Sequence, residues 1–487
     1  MSGGHGVAGS SPASPNTFFL LTHVPARPFL DRPPSSPGAP HVPHDRKTFY
    51  LESLGCNKNT VDSEILMALL RERGFSRVER PELADRIIVN TCTFIDEAKQ
   101  ESIESILGFA RMKKPESRLI VTGCFPQMHA GEIKELMPEV DVIAGSGDLV
   151  AVADAIDSDG KQRDYPLTRR IPKTYVLQAM RTDFLTGGAH AYLKISEGCN
   201  RGCSYCLIPA IKGPLRSRAV AEIVDETRDL THRGVKELIL TSQDTLSYGS
   251  DLHSRHGLRY LVERILAETD IPRIRLLYLR LGESLISTLS LFQNERILPY
   301  FDVPVQHVSK NMLEKMNRPG DGQLFEEIIA RIRERVPRAV LRTTVITGFP
   351  GEKKSDFDEL LGFIERVRFN HLGVFVFSPQ EGTGAFHLRP RVRVSTAEER
   401  RNTLLALQRE ISGSLLKEEI GRDFDVLIEE PIQGDERFFG RSYHFAPEVD
   451  GVFLVRSSRE LKPGSLIRAR VTRADEYDLH GIDQNRQ

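Results

Sequence analysis

The stretch Ile195–Arg218, ISEGCNRGCSYCLIPAIKGPLRSR, sets Cys199, Cys203 and Cys206 at C-x3-C-x2-C spacing, three thiols within eight residues. A segment this short can wrap all three sulfurs around one inorganic centre. Cysteine thiolates are the usual ligands of iron–sulfur clusters, and a four-iron cubane offers four ligand positions. Three Cys therefore leave one iron free for a ligand that is not protein. A structural zinc site is normally closed by a fourth Cys or His. No His occurs between His190 and His232, so zinc here requires a distant fourth ligand. A disulfide with one spare thiol requires an oxidising compartment, and nothing in the sequence marks one.

The remainder of the chain bounds the class. At 487 residues it exceeds one ordinary core, and two to four domains are expected. Hydrophobic residues make up 40% and charged residues 27%, the balance of a globular protein. No run of about 18 apolar residues occurs, so no transmembrane helix is expected. The 66 basic and 67 acidic residues leave a net charge of −1. That argues against a broad contact with nucleic acid, while leaving a local patch open. The six Cys, at 56, 92, 124, 199, 203 and 206, are too sparse in too long a chain for a disulfide scaffold, and a cytoplasmic location follows as the expectation. TFFLLTHV is too short for a secretory apolar core and has no basic start.

Residues 1–46 are rich in Ser, Pro, Gly and His and are expected to form a disordered extension, having too little apolar area to offset chain entropy. Residues 47–158 follow a different rule. KTFYLESLGC, RIIVNTC and RLIVTGC are short apolar strands, each ending on a Cys and each followed by a helical segment. In the first of these helices Ile65, Leu66, Leu69 and Leu70 share one face. A β–Cys–α unit repeated three times implies a parallel α/β domain. Cys56, Cys92 and Cys124 then lie at the carboxyl edge of one sheet, where open α/β sheets bind ligands. Their convergence suggests a second three-Cys cluster site; the alternative is three unrelated small core residues.

A charged stretch from about 150 to 185 is expected to be a linker. Across residues 185–415, HAYLKISEGC, VKELILTSQDT, IRLLYL, YFDVPVQH, AVLRTTVITGFPGE and HLGVFVFSP read as six strands alternating with helices. This predicts a partial TIM-type (β/α)6 barrel, with active residues at the strands' carboxyl ends. Gln243, Asp244, Gln306, His307 and the run Gly348–Glu352 occupy such ends. Gly348, Pro350 and Gly351 also fit a plain turn, and His307 fits either a general base or a hydrogen-bonding support. Arg216 and Arg218 are candidates for bidentate contact with a carboxylate, or for solvated surface. Residues 416–484 read as short strands between Gly, Pro and Asp turns, a small all-β barrel. From Gly421 to Gln487 there are 10 Lys/Arg and 13 Asp/Glu, a balance of −3. Such a module suits a basic partner better than RNA, unless its surface is merely solvated.

The C-x3-C-x2-C run with CSYC resembles the radical S-adenosylmethionine (SAM) enzymes. The resemblance implies a [4Fe-4S] cluster on Cys199, Cys203 and Cys206 whose open iron binds the amino and carboxylate groups of SAM. An electron from it yields a 5'-deoxyadenosyl radical able to take hydrogen from an unactivated carbon. SLGCNKNTVDSE, NTCTFIDEAKQESI and VTGC are similar to the N-terminal domain of the methylthiotransferases, which implies a second [4Fe-4S] cluster on Cys56, Cys92 and Cys124 that carries the sulfur to be inserted. Asn57 departs from that pattern, standing where Pro is common, and RLGESLISTLSLFQNER departs after the third barrel strand. The resemblance makes Gln243, Asp244, Gln306, Gly348 and Glu352 expected neighbours of SAM, and likens residues 416–484 to the TRAM domain, an RNA-binding module in several proteins.

SLGCNKN, NTCTFIDEAKQESI, FDVPVQH and FSPQEGT look like the branch that modifies the β-carbon of an aspartate in the twelfth small-subunit ribosomal protein. The acidic terminal barrel points the same way, because ribosomal proteins are basic. The activity implied uses two SAM molecules, one methylating the cluster-borne sulfur and one supplying the radical, with an external reductant and sulfur donor and no membrane. Two other readings stay open: a methylthiotransferase acting on a modified adenosine in tRNA, and a non-catalytic iron–sulfur or zinc protein.

Overall fold

A computed structural model describes residues 47–160, 171–175, 177–253 and 256–484. The expected extension 1–46 and part of the expected linker lie outside the described residues. The first body contains β1 (Thr48–Ser53), α1 (Asn57–Glu72), β2 (Ser76–Arg77), β3 (Arg86–Thr91), α2 (Asp96–Met112), β4 (Arg118–Gly123), α3 (Cys124–Leu136), β5 (Val142–Ile143) and α4 (Leu149–Asp157). Its five strands pair in parallel in the order β2-β1-β3-β4-β5. Every residue of β3 and β4 is buried, as expected of parallel strands covered on both faces.

The second body begins with β6 (His190–Lys194), β7 (Ser196–Glu197), α5 (Ile208–Lys212), β8 (Arg216–Ser217), α6 (Val220–His232), β9 (Glu237–Thr241), α7 (Leu258–Glu268) and β10 (Arg273–Leu276). It continues through α8 (Glu283–Ile286), β11 (Tyr300–Asp302), α9 (Lys310–Lys315), α10 (Gly322–Arg335), β12 (Val340–Thr347), α11 (Lys354–Val367), β13 (His371–Val376) and α12 (Val394–Lys417). Parallel sheets β6-β9-β10 and β11-β12-β13 meet through an Ile274–Ile297 bridge. The result is the six-stranded partial barrel expected, with one apolar core between strands and outer helices.

Helix α1 packs against β6, and its Val61, Ile65 and Leu66 share a core with Tyr192, Ile239 and Tyr300 of the barrel. That contact explains why Lys58, Asp62, Ser63 and Glu64, on its polar side, are buried as well. The described parts of the stretch read as a linker are also tied down. Helix α4 packs on α1, and the fully buried Arg181 lies between Glu64 at 2.6 Å and Glu226 at 2.7 Å. Charge density alone suggested solvent exposure there; the two partners are remote in sequence.

The third body is a closed barrel, β14 (Asp423–Pro431), β15 (Arg437–Arg441), β16 (Phe453–Arg456), β18 (Leu479–Asp483) and β17 (Leu466–Ala474) in spatial order. It docks on the amino ends of the six-stranded barrel. Arg441 reaches Glu237 at 3.1 Å, Glu429 reaches His190 at 3.0 Å, and Asp450 reaches Arg342 at 3.3 Å and accepts from the Tyr300 hydroxyl. His190, Glu237 and Tyr300 are the first residues of β6, β9 and β11. Burial opposes the charge on Glu429, but Arg441 and then His190 outweigh it and hold the carboxyl down at about 2. Among the described residues no helix is long and apolar enough to cross a membrane.

Candidate functional site

Cys56 caps the start of α1, Cys92 follows β3, and Cys124 opens α3 directly after β4. Because β1, β3 and β4 are neighbours, the three thiols stand side by side at one sheet edge. Gly55 adopts φ +89°, and a Cβ there would lie 2.6 Å from Cys92 Cβ and 3.0 Å from its sulfur. Only glycine permits the two loops to touch. Asn59 Nδ2 donates to the carbonyls of Leu54 and Thr91, each at 3.0 Å, which staples the Cys56 loop to the Cys92 loop. Its Oδ1 lies 3.8 Å from Cys124 Sγ. Burial, reinforced by the nearby Cys56, pushes the Cys92 thiol up to about 11. Burial raises Cys124 as well, with Lys212 acting against it.

The second triad sits on the loop that leaves β6. The backbone N–H of Arg201 donates to Cys199 Sγ at 3.4 Å, and that of Ile208 to Cys206 Sγ at 3.4 Å. Arg318 Nη1 lies 3.9 Å from Cys203 Sγ. Asn317 Nδ2 braces the loop by donating to Gly202 O at 2.7 Å, and Ser204 Oγ donates to Lys315 O at 2.7 Å. Burial, with Cys203 and Cys199 adding, pushes the Cys206 thiol up to about 12.

Each triad offers three thiols, the number a [4Fe-4S] cluster with one open iron would take, and amide and guanidinium donors aim at the sulfurs of the second triad, an established means of tuning such clusters. Among the described residues no three His, Cys, Asp or Glu groups are arranged to hold a metal ion. Ligands on separate irons of a cubane stand farther apart than ligands sharing one ion.

The two triads face the same end of the molecule. Cys124 packs with Leu207 and Ile211, and Leu207 directly follows Cys206. Asn57, beside Cys56, accepts from Thr241 Oγ1 at 3.0 Å and donates to the Tyr278 hydroxyl at 3.3 Å. Lys58 Nζ lies 3.4 Å above the Tyr278 ring. At the other edge of the barrel, Ser378 and Gln380 donate to the Asp96 carboxylate at 2.8 and 2.9 Å. Between these anchors lies a buried ion cluster: Lys194 contacts Asp62 and Glu197, and Lys212 lies 3.2 Å from Asp62 and 3.7 Å from Glu197. Asp62 belongs to the first body and the others to the second, so this cluster bolts the two cysteine-bearing bodies together. Sequence reasoning missed it, since an isolated charge in a helical pattern reads as solvated.

The expected strand-end residues divide into two groups. Gln243 donates to Glu197 Oε1 at 2.7 Å, and Asp244 accepts from Arg201 at 2.9 Å. Gln243 Oε1 and Asp244 Oδ1 are buried without protein partners, leaving capacity for a ligand. Gln306, four residues beyond β11 and bridged to Val345, adopts a left-handed φ of +69°, strain of the kind that gathers at functional sites.

Glu352 and Gly348 are engaged elsewhere. The Glu352 carboxylate takes the Gly348 N–H, Arg400 at 2.6 Å and His307 Nε2 at 3.3 Å. Gly348 has φ +75°, and a Cβ there would lie 2.3 Å from Ala397 Cβ on α12. These two residues brace the loop after β12. His307 is fully buried, and its Nδ1 accepts from the N–H groups of Val308 and Ser309 at 2.9 and 3.0 Å, so it is a hydrogen-bonding support and not a base. Arg216 and Arg218 correct an expectation. Both are buried; Arg216 donates to the carbonyls of Pro172 and Lys212, and Arg218 pairs with Glu226 at 2.7 Å. Their partners are internal, and only the Nε of each is buried without an acceptor.

Three family models match the chain in succession: uncharacterized protein family UPF0004 over residues 48–145, the radical SAM superfamily over 193–364 and the TRAM domain over 420–482. The chain is 39% identical over 436 residues to the ribosomal protein uS12 methylthiotransferase RimO of Thermoanaerobacter sp. (strain X514), covering 88% of this chain and 98% of that protein. It is 43% identical over 439 residues to the protein of the same name from Aquifex aeolicus (strain VF5), covering 88% and 96%. Among solved structures, a radical SAM methyltransferase from Kitasatospora setae, TsrM, with cobalamin and a [4Fe-4S] cluster bound, superimposes with a TM-score of 0.52 at 16% identity, over 70% of this chain and 77% of that one. At that identity the likeness concerns the fold alone.

Proposed function

This chain belongs to the uS12 methylthiotransferase family of radical SAM enzymes, and from that premise we propose that it inserts a methylthio group at the β-carbon of an aspartate in ribosomal protein uS12. The observation that carries the reading is the opposition of two three-Cys sites at one mouth, with Cys124 packed against the residue that follows Cys206. Cys199, Cys203 and Cys206 would hold the [4Fe-4S] cluster that binds SAM, and Cys56, Cys92 and Cys124 a second [4Fe-4S] cluster. Together the bound groups supply a carbon-centred radical and a methylated sulfur, a combination that no side-chain acid or base provides.

The protein's own residues orient and enclose. Gln243 and Asp244, with one buried oxygen each to spare, and Gln306 are the proposed polar contacts to SAM. Glu352 and Gly348 contribute behind them by holding the loop after β12. Asn57, Lys58 and Asp96 hold the first body across the mouth, and the ion cluster of Asp62, Lys194, Glu197 and Lys212 keeps the two sites in register. A reductant and a sulfur donor complete the reaction, and a reducing cytoplasm suits six free thiols.

The test is the intact mass of isolated uS12 from cells with and without the gene. One methylthio increment on an aspartate, lost on deletion, supports the reading. An unchanged mass accompanied by loss of methylthio-adenosine from tRNA moves the activity to the tRNA branch.

A further inference from the structure

Arg280 opens the segment in which this sequence departs from the pattern expected after the third barrel strand. It lies just beyond β10, two residues after Tyr278, whose left-handed φ of +57° turns the chain at the mouth. The N–H of Thr245, the residue after Asp244, donates to Tyr278 O at 3.2 Å, which sets this turn beside the end of β9. Arg318, Arg201, Cys203 and Asp244 all act on the charge of Arg280, the two arginines unfavourably. Its neighbours are largely engaged, with Arg318 Nε the one nitrogen of theirs buried without an acceptor. Arg201 pairs with Asp244 at 2.9 Å, and Arg318 donates to Pro304 O at 2.7 Å and to the Tyr205 hydroxyl at 3.3 Å. Arg280 Nη2 is buried with no protein acceptor.

A buried guanidinium N–H2 left without an acceptor is costly, and two like charges beside it add to the cost. Asp244 and the Cys203 thiolate bring negative charge to the same end of the barrel, yet Arg280 Nη2 has no acceptor of its own. The planar fork of arginine matches a carboxylate, which it can take by two parallel bonds. The carbon modified in the proposed reaction is bonded directly to a carboxylate, so anchoring that group beside Cys203 would also bring the reacting C–H to the mouth.

We propose that Arg280 receives the side-chain carboxylate of the aspartate being modified and selects aspartate over asparagine. This rests on the uS12 reading above. The same chemistry is offered by the carboxylate of SAM, and the experiment separates the two. Binding to the reconstituted enzyme is measured for uS12, for uS12 with its target aspartate replaced by asparagine, and for SAM, in wild type, Arg280→Gln and Arg280→Lys. Iron content is measured on each.

Wild type is expected to prefer the aspartate form by roughly tenfold or more, the worth of a charge-assisted bond. Arg280→Gln should erase the preference while SAM affinity and iron content stay at wild-type values, and Arg280→Lys should keep part of it. A preference that survives in Arg280→Gln overturns the proposal. A weaker hold on SAM with the preference intact overturns it in favour of the SAM carboxylate. Loss of iron would make Arg280 a guard of the cluster instead. Wild type that modifies uS12 but binds both forms equally leaves the function standing and removes this role. Wild type that modifies tRNA and not uS12 removes the function itself, before any variant is compared.

Discussion

Cys199, Cys203 and Cys206 come from one loop of eight residues, whereas Cys56, Cys92 and Cys124 come from three neighbouring strand ends of a parallel sheet. The loop triad is half-exposed and receives hydrogen bonds at its sulfurs from its own backbone. The sheet triad has two buried thiols and is assembled by the Gly55 contact and the Asn59 staple. A local loop can present its ligands while the rest of the barrel adjusts. A site drawn from three strands exists only while the sheet keeps its register. The two sites should therefore differ in what destroys them.

The largest expected effect separates the sites chemically. Cys199→Ala should abolish reductive cleavage of SAM, while Cys56→Ala should spare cleavage and stop sulfur insertion; each should lose about half of the bound iron if each triad holds one four-iron cluster. Quantifying 5'-deoxyadenosine beside methylthiolated product checks both, and product from either variant would sink the two-site assignment. Next comes Gly55→Ala. Strain at φ +89° costs about 1–2 kcal/mol, and the clash with Cys92 adds to it. Iron should fall by about half with SAM cleavage retained, so full iron occupancy would mean that the sheet triad tolerates movement after all.

A third variant probes the bolt between the sites. Asp62→Asn leaves Lys194 and Lys212 sharing Glu197 alone, and breaking a buried pair of this kind costs about 3–5 kcal/mol. Denaturant unfolding of the apo-protein reads it; a change under 1 kcal/mol would remove the cluster as the element joining the bodies. The docked terminal barrel gives a pH dependence. Glu429 is held at about 2 in the folded protein, against about 4.3 when unfolded. A depressed carboxylate stabilises above the unfolded value, so its contribution should fade as pH drops from about 4 towards about 2. Hydrogen exchange over Asp423–Asp483 would follow that loss, and Arg441→Met should flatten it. The smallest effect is Asn57→Ala, which removes two hydrogen bonds worth about 1 kcal/mol each. It should raise 5'-deoxyadenosine formed per product a few-fold without loss of iron.

Legibility in the sequence followed the same division. Ligands bunched in one loop are visible as spacing, and those at strand ends as a repeated β–Cys–α pattern, so both triads, the partial barrel and the terminal β-barrel could be read before any coordinates. What could not be read are contacts between residues whose partners are remote. Asp62 with Lys194, Arg181 between Glu64 and Glu226, and Arg441 on Glu237 each look like a solvated charge in their own segment. For the same reason Glu352 was expected to neighbour a ligand, and Arg216 and Arg218 to meet a carboxylate or solvent. Each is buried against neighbours that only the tertiary fold supplies. Arg280 is the converse case, a cation in an unfamiliar segment whose significance depends on two other arginines arriving beside it.

The seating of the terminal barrel on the strand starts has a practical consequence. Its Ala446 packs in the same cluster as Tyr192, Tyr300 and Val340, so the loop that carries Ala446 completes the apolar packing beneath the strand starts. Trimming the chain at residue 420 would uncover those side chains and leave Glu237 without Arg441. A truncated chain that fails on uS12 would then report a damaged barrel as readily as a lost docking module, and surface charge reversals on β15 and β17 are the cleaner way to ask what the module binds.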